Sequence, residues 1–112
     1  MRVLVVDDDA DIAVMLARIV THLGHSVEAC SNPTEAIEKL SLLHFDAVIS
    51  DYMMNPNGVE VLRAFPRAWS ILLTASYANT EISAALRAGV VHLVLTKPAS
   101  LSDLRHALDA AP

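Results

Sequence analysis

The sequence predicts an α/β protein: a doubly wound, five-stranded parallel sheet with five helices on its two faces. Two observations predict it. Short apolar runs alternate five times with helical patterns along the chain, and repeated strand–helix units form parallel sheets through right-handed crossovers. The composition is 54% hydrophobic but only 4% aromatic, so the core is aliphatic, as strands buried on both faces require.

The elements follow in order. Val3-Leu4-Val5-Val6 reads as a buried strand. Ile12, Met15, Leu16, Ile19, Val20 and Leu23 keep the spacing of an amphipathic helix, which Gly24 ends. Ser26 to Ala29 is a second strand. Ser31 or Asn32 caps the next helix, with Pro33 in its first turn and Ala36, Ile37 and Leu40 as its inner stripe. Asp46 to Ser50 is a third strand. Turn residues Asn55-Pro56-Asn57-Gly58 precede a short helix carrying Val59, Leu62 and Phe65. Ser70 to Leu73 is a fourth strand, and Thr80 to Ala88 a helix with Ile82, Ala85 and Leu86 inward. Val91 to Leu95 is the fifth strand. Ser100 to Ala110 is the last helix, with Leu101, Leu104 and Leu108 inward.

The 112 residues fit a single domain, 1–112, with no effector domain beside it. A net charge of −5 with 8 Lys and Arg offers no basic patch, so direct nucleic-acid contact is not expected. Only Val3 to Val6 separate Arg2 from Asp7, too few for a secretory signal, and no apolar run nears the roughly 18 residues of a membrane span. The single cysteine, Cys30, rules out an internal disulfide and suits a reducing compartment. A cytoplasmic protein is expected.

At this length the natural strand order is the flavodoxin-like 2-1-3-4-5, which places ligands at the carboxyl ends of the strands. Each such end carries chemistry. Asp7, Asp8 and Asp9 follow the first strand, Asp51 the third, Thr74 the fourth, and Lys97 with Pro98 the fifth. Strands one and three are neighbours in this order, so the acidic cluster lies beside Asp51. Crowded carboxylates repel one another, and a hard divalent cation such as Mg²⁺ would offset this. A carboxylate beside Mg²⁺ can act as a phosphoryl acceptor, with the Lys97 ammonium and Thr74 hydroxyl ready for the negative charge it gains.

These stretches closely resemble the receiver domain of two-component response regulators, over essentially the whole chain. The matching segments are Val3 to Asp9, Asp46 to Asp51, Leu72-Leu73-Thr74-Ala75 and Thr96-Lys97-Pro98. The resemblance implies Asp51 as phosphoacceptor, Asp7 and Asp8 as the Mg²⁺ pair with Asp8 the more direct ligand, and the Met53 backbone carbonyl as a further ligand. It implies Thr74 and Lys97 as partners of the phosphoryl oxygens. The donor would be a sensor histidine kinase or histidine phosphotransfer protein, and the output a protein target contacted through residues 80–110; a homodimer is also compatible. Such a chain is no enzyme beyond catalysing its own phosphorylation and dephosphorylation.

Three features depart from the family pattern. Asn55 follows Met54 where proline is usual, Pro56 is displaced by one, and Gly58 comes one residue early. The stretch from Gly89 to Lys97 is one residue long. The position usually held by a switch Tyr or Phe is Val94 counting back from Lys97, or Leu93 counting forward from Gly89. These departures motivate a second reading, a degenerate receiver acting as a phosphorylation-independent interaction module. A haloacid-dehalogenase-like phosphatase, suggested by Asp7-Asp8-Asp9, lacks the continuation expected after Asp9 and room for a cap domain.

Overall fold

A computed structural model describes residues 1–76 and 79–112. The elements are β1 (Arg2–Val6), α1 (Ala10–His22), β2 (Ser26–Cys30), α2 (Pro33–Glu38), β3 (Ala47–Asp51), α3 (Gly58–Arg63), β4 (Trp69–Thr74), α4 (Thr80–Arg87), β5 (Leu93–Thr96) and α5 (Leu101–Asp109), with one 3₁₀ turn at Leu40–Leu42. The five strands form one parallel sheet in the order β2-β1-β3-β4-β5, as the alternation of elements predicts.

Strand residues alternate between two cores because successive side chains point to opposite faces. Leu4, Val6, Val48, Leu72 and Val94 pack with Ala36 of α2, Val59 and Leu62 of α3, and Ile82 and Ala85 of α4. Val3, Val5, Ile49, Ile71 and Leu73 pack with Leu16 and Val20 of α1 and Leu104, Ala107 and Leu108 of α5. This division decides the register left open in β5. Val94 is the residue facing α4, whereas Leu93 belongs to the opposite core.

Each helix starts from a side-chain cap. Asp9, Asn32, Asn57 and Asn79 accept first-turn backbone N–H groups of α1 to α4, and Ser100 with Asp103 forms a capping box on α5. The cap of α2 is therefore Asn32 rather than Ser31. Gly24 and Gly89 follow α1 and α4 with φ of +95° and +75°, the left-handed geometry that glycine adopts without strain.

The helical stripes are narrower than the sequence pattern suggests. Met15, Leu86 and Leu101 are exposed. On α1 the buried stripe centres on Ala13, Leu16 and Val20, and at about 100° per residue Met15 falls on its far flank. Val91 is buried but precedes β5, and Asp51 and Thr74 are the last residues of their strands rather than the first of the loops. Cys30 is a buried thiol at the end of β2, its Sγ 3.1 Å from the Asn32 carbonyl. Among the described residues, no helix is long and apolar enough to cross a membrane.

Candidate functional site at the carboxyl edge of the sheet

Parallel pairing of Val6 with Ser50 sets the next residues, Asp7 and Asp51, side by side at the same edge. Asp7, Asp8 and Asp51 each present a carboxylate oxygen, all within 4.8 Å of one another. Asp7 is 1% exposed and Asp51 5% exposed, while Asp8 opens to solvent. Asp9 stands outside the cluster because its carboxylate caps α1, accepting from Asp11 and Ile12.

Lys97, two residues past Leu95, reaches across β4. Its Nζ lies 2.9 Å from Asp51 Oδ1 and 3.5 Å from Asp7 Oδ2. Partial burial works against the ammonium, but the hydrogen bond and charge of Asp51, with those of Asp7, outweigh it and hold its pKa above the ordinary value. For Asp7, burial dominates and pushes the pKa up. The Asp9 N–H and the Lys97 charge oppose this, while the Asp51 charge adds to it.

Thr74 ends β4 at this edge, with its hydroxyl donating to the Ser76 carbonyl at 3.1 Å. Met53 is exposed in the loop after Asp51. That loop is anchored on both sides. The N–H of Tyr52 donates to Leu73 O of β4, and the carbonyl of Tyr52 accepts from Met54 and Gly58. Gly58 closes the shortened turn because only a hydrogen fits there. A Cβ at Gly58 would stand 2.2 Å from the Asp51 carbonyl oxygen and 2.6 Å from Leu72 Cδ1.

Sequence reasoning does not find a cluster beside this loop. The Tyr52 hydroxyl donates to Glu81 Oε1 at 2.6 Å and accepts from Asn79 Nδ2 at 2.8 Å. Asn57 Nδ2 donates to both Glu81 oxygens, at 3.1 and 3.3 Å. The hydrogen bond to Glu81 is the main cause of a raised Tyr52 pKa, since the carboxylate stabilises the protonated phenol. Only the cap-forming asparagines carried a local signal; contacts of 24 to 29 residues' separation carry none. His92, exposed just before β5, makes further contacts between distant segments. Its ring stacks on Trp69, with centroids 4.7 Å apart, and its Nδ1 accepts from Ser70 N–H at 2.9 Å.

A doubly wound sheet with three carboxylates and a lysine converging at its carboxyl edge defines a class of small α/β domains with an acidic, cation-ready site. The family model of the response regulator receiver domain matches residues 3–109, and the chain belongs to that family. It is 34% identical over 108 residues to the transcriptional regulatory protein TcrA of Mycobacterium tuberculosis, covering 92% of this chain and 42% of TcrA. This chain thus spans less than half of that relative's length. Among solved structures, the chemotaxis protein CheY4 of Vibrio cholerae superposes with a TM-score of 0.84 at 25% identity, covering 99% of this chain and 98% of that one. The response regulator TrrA of Thermotoga maritima, in complex with Mg²⁺ and BeF, gives 0.80 at 26% identity, with the same shares covered.

Proposed function

We propose that Asp51 accepts a phosphoryl group from a histidine kinase or histidine phosphotransfer protein, and that the chain acts as a two-component signalling switch. The observation that carries this reading is the convergence of Asp7, Asp8, Asp51 and Lys97, from three separate strand ends, within hydrogen-bonding and coordination reach. In the transfer, the P–N bond of a phosphohistidine breaks as an Asp51 carboxylate oxygen bonds to phosphorus, and the imidazole nitrogen keeps the electron pair.

The donor set at the acidic cluster is all oxygen and carries several negative charges, which suits a hard divalent cation. Asp7, Asp8, Asp51 and the Met53 carbonyl would hold Mg²⁺. Held by these groups, the ion would offset negative charge on the incoming phosphoryl oxygens. Lys97 is already beside Asp51 and supplies a point charge to the same oxygens. Thr74 would turn its hydroxyl from Ser76 toward them. In this reading the chain turns over no separate substrate and acts only on its own aspartate. Its output is a changed protein-binding face within residues 80–110.

Incubation with a small phosphodonor and Mg²⁺ should add one phosphoryl group by mass. The reading fails if Asp51→Asn takes up that group equally well. The aliphatic Val94 on the α4 side favours a second reading, a phosphorylation-independent interaction module. In that case the amide spectrum would stay unchanged on adding Mg²⁺ and beryllofluoride.

A further inference from the structure

Under the phosphoacceptor reading, on which this inference rests, the modified residue must reach α4 without an aromatic on β5. Val94 is aliphatic, offers no hydroxyl, and packs in the same core as Ile82 and Ala85 of α4. A different aromatic already spans the gap. Tyr52 follows Asp51 directly, and its backbone is pinned to β4 at Leu73, the residue before Thr74. Its hydroxyl meets Asn79, the cap of α4, and Glu81, in the first turn of that helix. Glu81 in turn receives Asn57, the cap of α3.

We propose that Tyr52, Asn57, Asn79 and Glu81 form the latch through which the state of Asp51 is communicated to α4, closed at rest and opened by phosphorylation. Two features of the site drive it open. Phosphorylation replaces the single negative charge of the Asp51 carboxylate, on the residue preceding Tyr52, with the roughly 1.5 to 2 negative charges of the phosphoryl group, and the group at the centre of the latch, Glu81, is itself a carboxylate. In addition, the Thr74 hydroxyl that would turn to the phosphoryl oxygens now holds the Ser76 carbonyl, in the loop leading to Asn79. Losing that bond removes the tie between Thr74 and Ser76, three residues before Asn79, whose side chain meets the Tyr52 hydroxyl. The cap of α4 and the loop of the acceptor then part together, because the latch joins both.

Amide spectra with Mg²⁺ and beryllofluoride, on the wild type, Tyr52→Phe and Glu81→Ala, test this. In the wild type, shifts at Asp51, Met53 and Lys97 should be accompanied by shifts from Glu81 to Ser83 and from Asn57 to Glu60. In resting Tyr52→Phe, the α4 amides should already lie near their beryllofluoride-bound positions. The Ser83 amide, which donates to Asn79 O, should exchange roughly ten- to a hundredfold faster, the scale of one lost hydrogen bond to a charged group. Glu81 is exposed, so Glu81→Ala provides the same test if Tyr52→Phe folds poorly, and the double variant should add little to either single one. The latch is overturned if both variants keep wild-type resting α4 amides and a full beryllofluoride response. It is overturned equally if site shifts in the wild type leave α4 unmoved. Absence of any site shift in the wild type would instead sink the phosphoacceptor reading itself.

Discussion

Asp7 is the residue whose chemistry is most constrained by its surroundings. It is buried beside a second carboxylate, and burial raises its pKa above the ordinary 3.8. A carboxyl with a raised folded-state pKa binds its proton more tightly when folded, so its charge weakens the fold. That cost is complete above the raised value and vanishes below the unfolded one. Asp7→Asn should therefore raise the melting temperature of the metal-free protein at neutral pH, with the gain fading as pH falls toward 3.8. Thermal melts of both proteins across pH check this; an unchanged or lower melting temperature at neutral pH would contradict it. The same substitution should weaken Mg²⁺ binding. Asp7, Asp8, Asp51, Thr74 and Lys97 were all legible as polar residues closing apolar runs, because a strand end announces itself locally. Tyr52 and Glu81 were not, because their pairing depends on where α4 lies relative to the loop after Asp51.

At the scale of elements, the rebuilt turn between β3 and α3 matters most. It brings α3 so close to the Asp51 carbonyl that Gly58 has no room for a side chain. Gly58→Ala should cost roughly 1–3 kcal/mol by overpacking and should also slow phosphoryl uptake, since relief of the clash moves the Asp51 backbone. Denaturant melts and a time course of phosphorylation measure the two effects. The helix caps give a second expectation. Ser100→Ala removes half of the capping box on α5 and should cost about 1 kcal/mol, which denaturant melts measure. Of the cap residues, the sequence reading named only Ser31 or Asn32 for α2, and the buried side of each helix was only partly readable. Met15 and Leu86 are apolar residues at plausible spacing that the packing leaves outside.

For the whole molecule, cation binding and stability should be linked. If only the folded chain assembles the carboxylates, Mg²⁺ at about 100 times its dissociation constant should stabilise the fold by roughly 2.7 kcal/mol. Chemical denaturation with and without Mg²⁺ measures this, and Asp8→Ala should abolish most of the gain. Such linkage would arise because the three carboxylates follow β1 and end β3, which meet only when the sheet has formed. The two cores hold that edge rigid from both faces. Leu72→Ala, in the core beside Gly58, should accordingly cost about 2–5 kcal/mol.

The sequence by itself determined the element order, the parallel sheet and which polar residues stand at its carboxyl edge. These depend on periodicity, capping and strand-end residues, which are local and readable one segment at a time. Tertiary structure alone decided that Val94 rather than Leu93 faces α4, that Asp9 serves α1 rather than the acidic cluster, and that Tyr52 is tied to Glu81. Each of these turns on which face a residue presents once its neighbours are packed, and a one-residue change of register in a strand reverses that face.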